Sequence, residues 1–121
     1  MALEVTSHSI EITPPRRAKV GEWVTVRVEF AATVWNDLEG MSVSVRLDGS
    51  FSDDQDVASG SSSEEETAYY GATKLWTSAQ TSARYDHPGR VTVYGHLEVY
   101  DGSHWTNILD ITASEWFNVI E

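Results

Sequence analysis

The chain has no cysteine, so neither a disulfide framework nor a thiolate metal site is open to it. It is also short of positive charge. Lys19 and Lys74 are its only lysines, and eight bases face nineteen acids for a formal net charge of -11. Phosphate neutralisation needs clustered Lys and Arg, so nucleic acid is not expected as a partner. The one basic cluster, Arg16, Arg17 and Lys19, is too small for such a patch and balances nearby acids. No apolar run approaches the roughly 20 residues a membrane-spanning helix needs, so no membrane partner is expected either. The opening residues, MALEVTSHSIEI, lack the basic region and apolar core of a signal peptide. The expectation is a chain not exported by that route, or one whose signal has been removed.

Catalytic and cofactor motifs are missing too. There is no G-x-S-x-G nucleophile elbow and no Gly-rich phosphate loop leading into a helix. The acids could in principle form a glycosidase pair, but nothing in the sequence brings two of them into one cleft. His8, His87, His96 and His104 stand in no zinc-ligand spacing. His96 and His104 could approach across a hairpin, yet two imidazoles do not complete a zinc site. Asp53, Asp54 and Asp56, with Asp48 nearby, offer hard oxygens suited to calcium. Their spacing is not that of a D-x-D-x-D-G calcium loop, and a solvated acidic segment is the expectation. The sequence therefore predicts a non-enzymatic protein with no cofactor and no metal.

What the chain does have is alternation. In Tyr85–Tyr100, Val91, Val93, Leu97 and Val99 share one parity with Gly95. Thr92, Tyr94, His96, Glu98 and Tyr100 share the other. A period of two describes a half-buried antiparallel strand. The stretch opens on His87-Pro88-Gly89 and closes on Asp101-Gly102, a strong hairpin signal, which predicts a central strand. Residues 3–12 read as a first strand ended by Pro14-Pro15. Gly21 opens a second, with Val24, Val26, Val28 and Phe30 inward and an extension toward Trp35. Met41, Val43, Val45 and Leu47 form the inward face of a third, closed by Asp48-Gly49. The low-complexity segment from Ser50 to Thr67 reads as a long acidic, Ser-rich loop, with room for a short edge strand near Phe51 or Val57. Residues 68–79 favour a strand over a helix through their aromatics and threonines, and a linker over 80–84 follows. The last stretch, 104–120, reads as a return strand with a bulge or break near Ala113-Ser114. The prediction is an all-β fold: a single immunoglobulin-like antiparallel β-sandwich domain of about seven strands over residues 1–121.

Two segments carry a resemblance. PPRRAKVGEWVTVRVEF is a proline break, a glycine turn and a V-x-V-x-V strand. YDHPGRVTVYGHLEVYDGSHW is an aromatic, Pro-Gly and an alternating strand ending in Asp-Gly. Together they resemble the immunoglobulin-like modules of bacterial surface and viral structural proteins, including those of polycystic-kidney-disease type. The tryptophan-aspartate motif usual in that type is not found around Leu47–Phe51, nor is the cysteine pair of antibody domains. The resemblance implies a sandwich architecture and a role in adhesion, spacing or assembly.

Five Trp and five Tyr are many for 121 residues. On the alternation, Trp23, Tyr94, Tyr100 and Trp116 fall opposite the Val-rich face. Outward aromatics suit partner binding; the alternative is that they fold over sheet ends and cover the core edge. The functional expectation is a structural or assembly protein of a virion, a capsid decoration or tail protein, that binds protein through these four residues and forms a homo-oligomer. The alternative is a cell-surface or extracellular binding module that takes carbohydrate on the same aromatics. The many carboxylates and few lysines also resemble proteins of salt-loving organisms.

Overall fold

The computed structural model describes residues 3–102 and 106–121. The described chain is all-β, with eight strands where the sequence suggested about seven. These are β1 (Leu3–Thr13), β2 (Ala18–Lys19), β3 (Trp23–Asn36), β4 (Val43–Asp53), β5 (Ser59–Ala68), β6 (Gly71–Arg84), β7 (Gly89–Asp101) and β8 (Thr106–Ile120). They form a three-stranded sheet of order β1-β3-β6 and a five-stranded sheet of order β2-β8-β7-β4-β5. All pairings are antiparallel except the short parallel pairing of β2 with the end of β8. No helix among the described residues is long and apolar enough to cross a membrane.

Alternation sets which side chains meet between the sheets. Val26, Val28, Phe30 and Val34 of β3 are fully buried, as are Val45 and Leu47 of β4 and Val93, Leu97 and Val99 of β7. Each such side chain contributes roughly 1.5–3 kcal/mol by leaving water. β7 is the middle strand of the larger sheet, flanked by β8 and β4, as its pattern predicted. The larger sheet curls into a half-barrel. At one side its edge strand β5 lies along β6 of the smaller sheet, where the Ser62 and Thr77 hydroxyls are 2.5 Å apart. Buried Asn36 ties down the end of β3: its Nδ2 donates to the carbonyls of Met41 (3.2 Å) and Ala68 (3.1 Å), and its Oδ1 accepts from the Leu38 N–H.

Five local expectations need correction. Residues 50–67 are not a long loop. β4 runs on to Asp53, a tight turn follows, and the serine and glutamate run forms β5 against it, Ser52 facing Ser59 through Val43 facing Ala68. Polar composition hid a strand because β5 is a sheet edge with little to bury. Asp48-Gly49 does not close a strand. Gly49 lies in mid-β4 because the Phe30 ring occupies the place of a side chain there; a β-carbon would meet it at 2.3 Å. Met41 is exposed and precedes β4 instead of facing the core. The irregularity of the last hairpin is not at Ala113-Ser114. β8 is continuous there, and the register instead shifts between Val99 and Tyr100, leaving Ile108 unpaired between Asn107 and Leu109. The segment 80–84 belongs to β6.

Candidate functional site

Register turns the outer face of the five-stranded sheet into a grid of polar side chains. Across β5, β4, β7 and β8 one row reads Glu65, Arg46, Tyr100 and Asn107. The next reads Ser63, Asp48, Glu98 and Asp110, and the third Ser61, Ser50, His96 and Thr112. The middle row places three carboxylates side by side on adjacent strands. Like charges directly opposite one another are destabilising, and the neighbouring rows supply the compensation. Arg46 pairs with Asp48 at 3.2 Å and stacks over the Tyr100 ring at 5.0 Å. His96 turns its two ring nitrogens to carboxylates, Nε2 to Asp110 at 2.5 Å and Nδ1 to Glu98 at 3.7 Å. Ser50 stands opposite His96 on β4, but with both nitrogens directed elsewhere the imidazole is not set as a base for its hydroxyl.

Glu98 is the most heavily engaged of these acids. Its Oε2 accepts from the Tyr100 hydroxyl and from Asn107 Nδ2 at 3.0 Å. Asn107 is fixed in turn, its Oδ1 accepting the Leu109 N–H at 3.0 Å. The hydrogen bond to Glu98 is the main reason the Tyr100 phenol is raised above its ordinary pKa. Beside this group, Asp48, Ser50, Ser61, Ser63 and Glu98 line a hollow of about 470 Å³. The hollow forms because the serines are short and their neighbours on β7 are long.

The four aromatics singled out from the sequence do not form one site. Tyr94 and Trp116 are diagonal neighbours on this outer face, since Thr92 pairs with Trp116 and Tyr94 with Ser114. They are 50% and 48% exposed, and Arg90 stacks on the Trp116 ring at 4.1 Å. Tyr100 shares the face but is half-buried and held by Glu98 and Arg46. Trp23 belongs to the other sheet; it is 68% exposed, with Arg84 over its ring at 5.5 Å.

That other outer face carries aromatics the sequence reading passed over. Trp35 and Trp76 are exposed on β3 and β6, and Tyr70 meets Trp35 at a centroid distance of 6.2 Å. Trp76 stands opposite Ala31, Trp35 opposite Ala72, and Lys74 between them opposite Thr33. Their shared outward parity was legible, but only the β3–β6 register makes neighbours of them.

The acidic turn after β4 is built as a structural cap. Asp53 is buried, and its two oxygens accept the N–H groups of Gln55, Val57 and Ala58 and the Tyr85 hydroxyl, the last at 2.7 Å. Asp54 accepts the Thr92 N–H at 3.1 Å. Asp53 thus spends the lone pairs of both its oxygens on the chain itself. His104, considered as a partner for His96, lies outside the described residues.

No protein-family model matches this chain, and comparison with curated proteins finds no match. Among solved structures the chain is similar to the crystal structure of a protein from Archaeoglobus fulgidus, at 12% identity and a TM-score of 0.49, over 95% of this chain and 97% of that one.

Proposed function

We propose that this chain is a non-enzymatic building block of a larger protein assembly, such as a virion decoration or tail component, built on an immunoglobulin-like sandwich. The strand order supports the architecture. β8-β7-β4-β5 follows the G-F-C-C′ order of an immunoglobulin sheet, β1-β3-β6 follows A-B-E, and the strand usually called D has no counterpart among the described strands.

The observation that carries the attachment reading is the outer face of the three-stranded sheet, with Trp23, Trp35 and Trp76 all exposed. Large outward aromatics are the residues that dominate binding energy at protein interfaces. Three of the four sheet edges, by contrast, are blunted against strand addition, and the fourth, β6, lies along β5 of the other sheet. β1 pairs with β3 of its own sheet, carries Glu4 and Glu11, and shifts register between Val5 and Ser7. β5 carries Glu64, Glu65 and Glu66, and β2 has only two residues. Charge, bulges and brevity are the usual protections of an edge, which leaves face-to-face contact as the mode of association.

The test is light scattering after gel filtration at high salt, where wild type is expected as a defined oligomer. Trp23→Ala combined with Trp76→Ala should shift it to monomer at an unchanged melting temperature. A wild type that stays monomeric at every concentration would remove the self-assembly reading.

One observation favours a second reading. Tyr94 and Trp116 are exposed diagonal neighbours on the opposite face, an arrangement that suits a sugar ring stacked on an aromatic. A glycan array hit abolished by Tyr94→Ala would promote it.

A further inference from the structure

We propose that His96, Glu98 and Asp110 form a binding site for a divalent transition-metal ion of the zinc class on the outer face of the five-stranded sheet. The site is independent of the attachment surface argued above, which lies on the other sheet.

Geometry comes first. Glu98 and Asp110 are partners across β7 and β8, and His96 lies two residues before Glu98 on the same face. One donor atom from each residue lies within 4.8 Å of the other two. Ligand atoms around a tetrahedral zinc stand about 3.3 Å apart, from bonds near 2.0–2.2 Å. The three donors need only side-chain adjustment to reach that span. His96 Nε2 and Asp110 Oδ1, now 2.5 Å apart, must open by about an ångström. The Asp110 side chain, 56% exposed, is free to swing outward. A metal ion there would take the place of the direct His96–Asp110 contact.

The donor set selects the ion. Calcium and magnesium take oxygen shells, whereas imidazole suits zinc and the later first-row metals. One imidazole with two carboxylates is a three-ligand set of the kind that leaves zinc a fourth position for water.

Support beyond the ligands points the same way. Glu98 Oε2 is occupied by Tyr100 and Asn107, which leaves Oε1 turned toward His96. Hydrogen bonds of this kind to a ligating carboxylate orient it and hold the site together. Finally, Asp48, Glu98 and Asp110 stand in one row, and a dication would relieve the repulsion that this row carries.

The experiment is calorimetric titration of zinc chloride into the EDTA-treated, dialysed full chain at neutral pH, repeated with calcium chloride. One zinc per chain is expected, with calcium at least about tenfold weaker. His96→Ala and Asp110→Asn should each weaken zinc at least about tenfold, with unchanged circular dichroism, while His8→Ala combined with His87→Ala leaves it intact. Should a site variant misfold, wild type decides: sub-stoichiometric zinc must shift the His96 imidazole signals in NMR before those of any other histidine. Equal affinity for calcium, zinc binding undiminished in folded His96→Ala, unperturbed His96 signals, or no zinc binding would each overturn the proposal.

Discussion

The ring of Phe30, on β3 of the smaller sheet, lies directly over Gly49 on β4 of the larger one. A β-carbon on Gly49 would come within 2.3 Å of the Phe30 ring. The same device recurs one strand over, where Ile10 of β1 covers Gly95 of β7 and a β-carbon would meet its Cγ2 at 2.7 Å. Register alternates the sizes: Gly49 faces Leu97, and Phe51 faces Gly95. The two sheets thus approach where one of them has no side chain to offer.

Gly49→Ala is therefore expected to destabilise the protein by about 1–3 kcal/mol, the cost of overpacking a filled core. The pair Gly49→Ala with Phe30→Leu should recover part of that loss by freeing the space. Urea melts of the three proteins check this. An unchanged midpoint in the single variant would mean that Phe30 moves aside at no cost.

A second expectation concerns alkaline pH. Burial, and then its hydrogen bond to Asp53, raise the Tyr85 phenol above the ordinary tyrosine pKa. The unfolded chain ionises Tyr85 near its usual value of about 10, while the folded chain holds the proton to higher pH. The contribution to stability is full below that value and is lost as pH rises through the folded-state pKa. Melting temperature should fall above about pH 10. In Tyr85→Phe the fall should be shallower, and stability at neutral pH lower by about 1–3 kcal/mol, because a buried Asp53 oxygen loses a donor. Parallel alkaline slopes in the two proteins would exclude Tyr85 as the group responsible.

The third concerns salt. The net charge of -11 is concentrated in places the fold makes adjacent: the Asp48, Glu98 and Asp110 row, and Glu64, Glu65 and Glu66 on the β5 edge. Screening exposed like charges weakens their repulsion. The melting temperature should climb from low to molar potassium chloride. Glu65→Gln combined with Glu66→Gln should flatten the climb. A flat or falling profile in wild type would show that the acid excess is not an adaptation to salt.

Much of the fold was written in local pattern. Val26, Val28, Val45, Val93, Leu97 and Val99 are buried as their alternation requires, because a strand's side-chain period of two is a property of the backbone alone. The turn signals at Pro14-Pro15 and Pro88-Gly89 bound strands for equally local reasons, a missing donor and a positive φ of 136° at Gly89. That Trp23, Tyr94 and Trp116 face outward follows from the same parity.

Pairing belongs to the tertiary structure, because it depends on which strands meet and in what register. The Ser50–Thr67 segment reads as a loop until β4 gives it a partner, and Asp48-Gly49 reads as a turn until Phe30 fills the space above the glycine. His96 and Asp110 are fourteen positions apart and show no ligand spacing in the sequence. The antiparallel β7–β8 register sets them diagonally on one face, and the unpaired Ile108 brings Asn107 opposite Tyr100 and within reach of Glu98. Local chemistry chose the direction of each side chain; its neighbours were chosen by hydrogen-bonded register, which no single strand encodes.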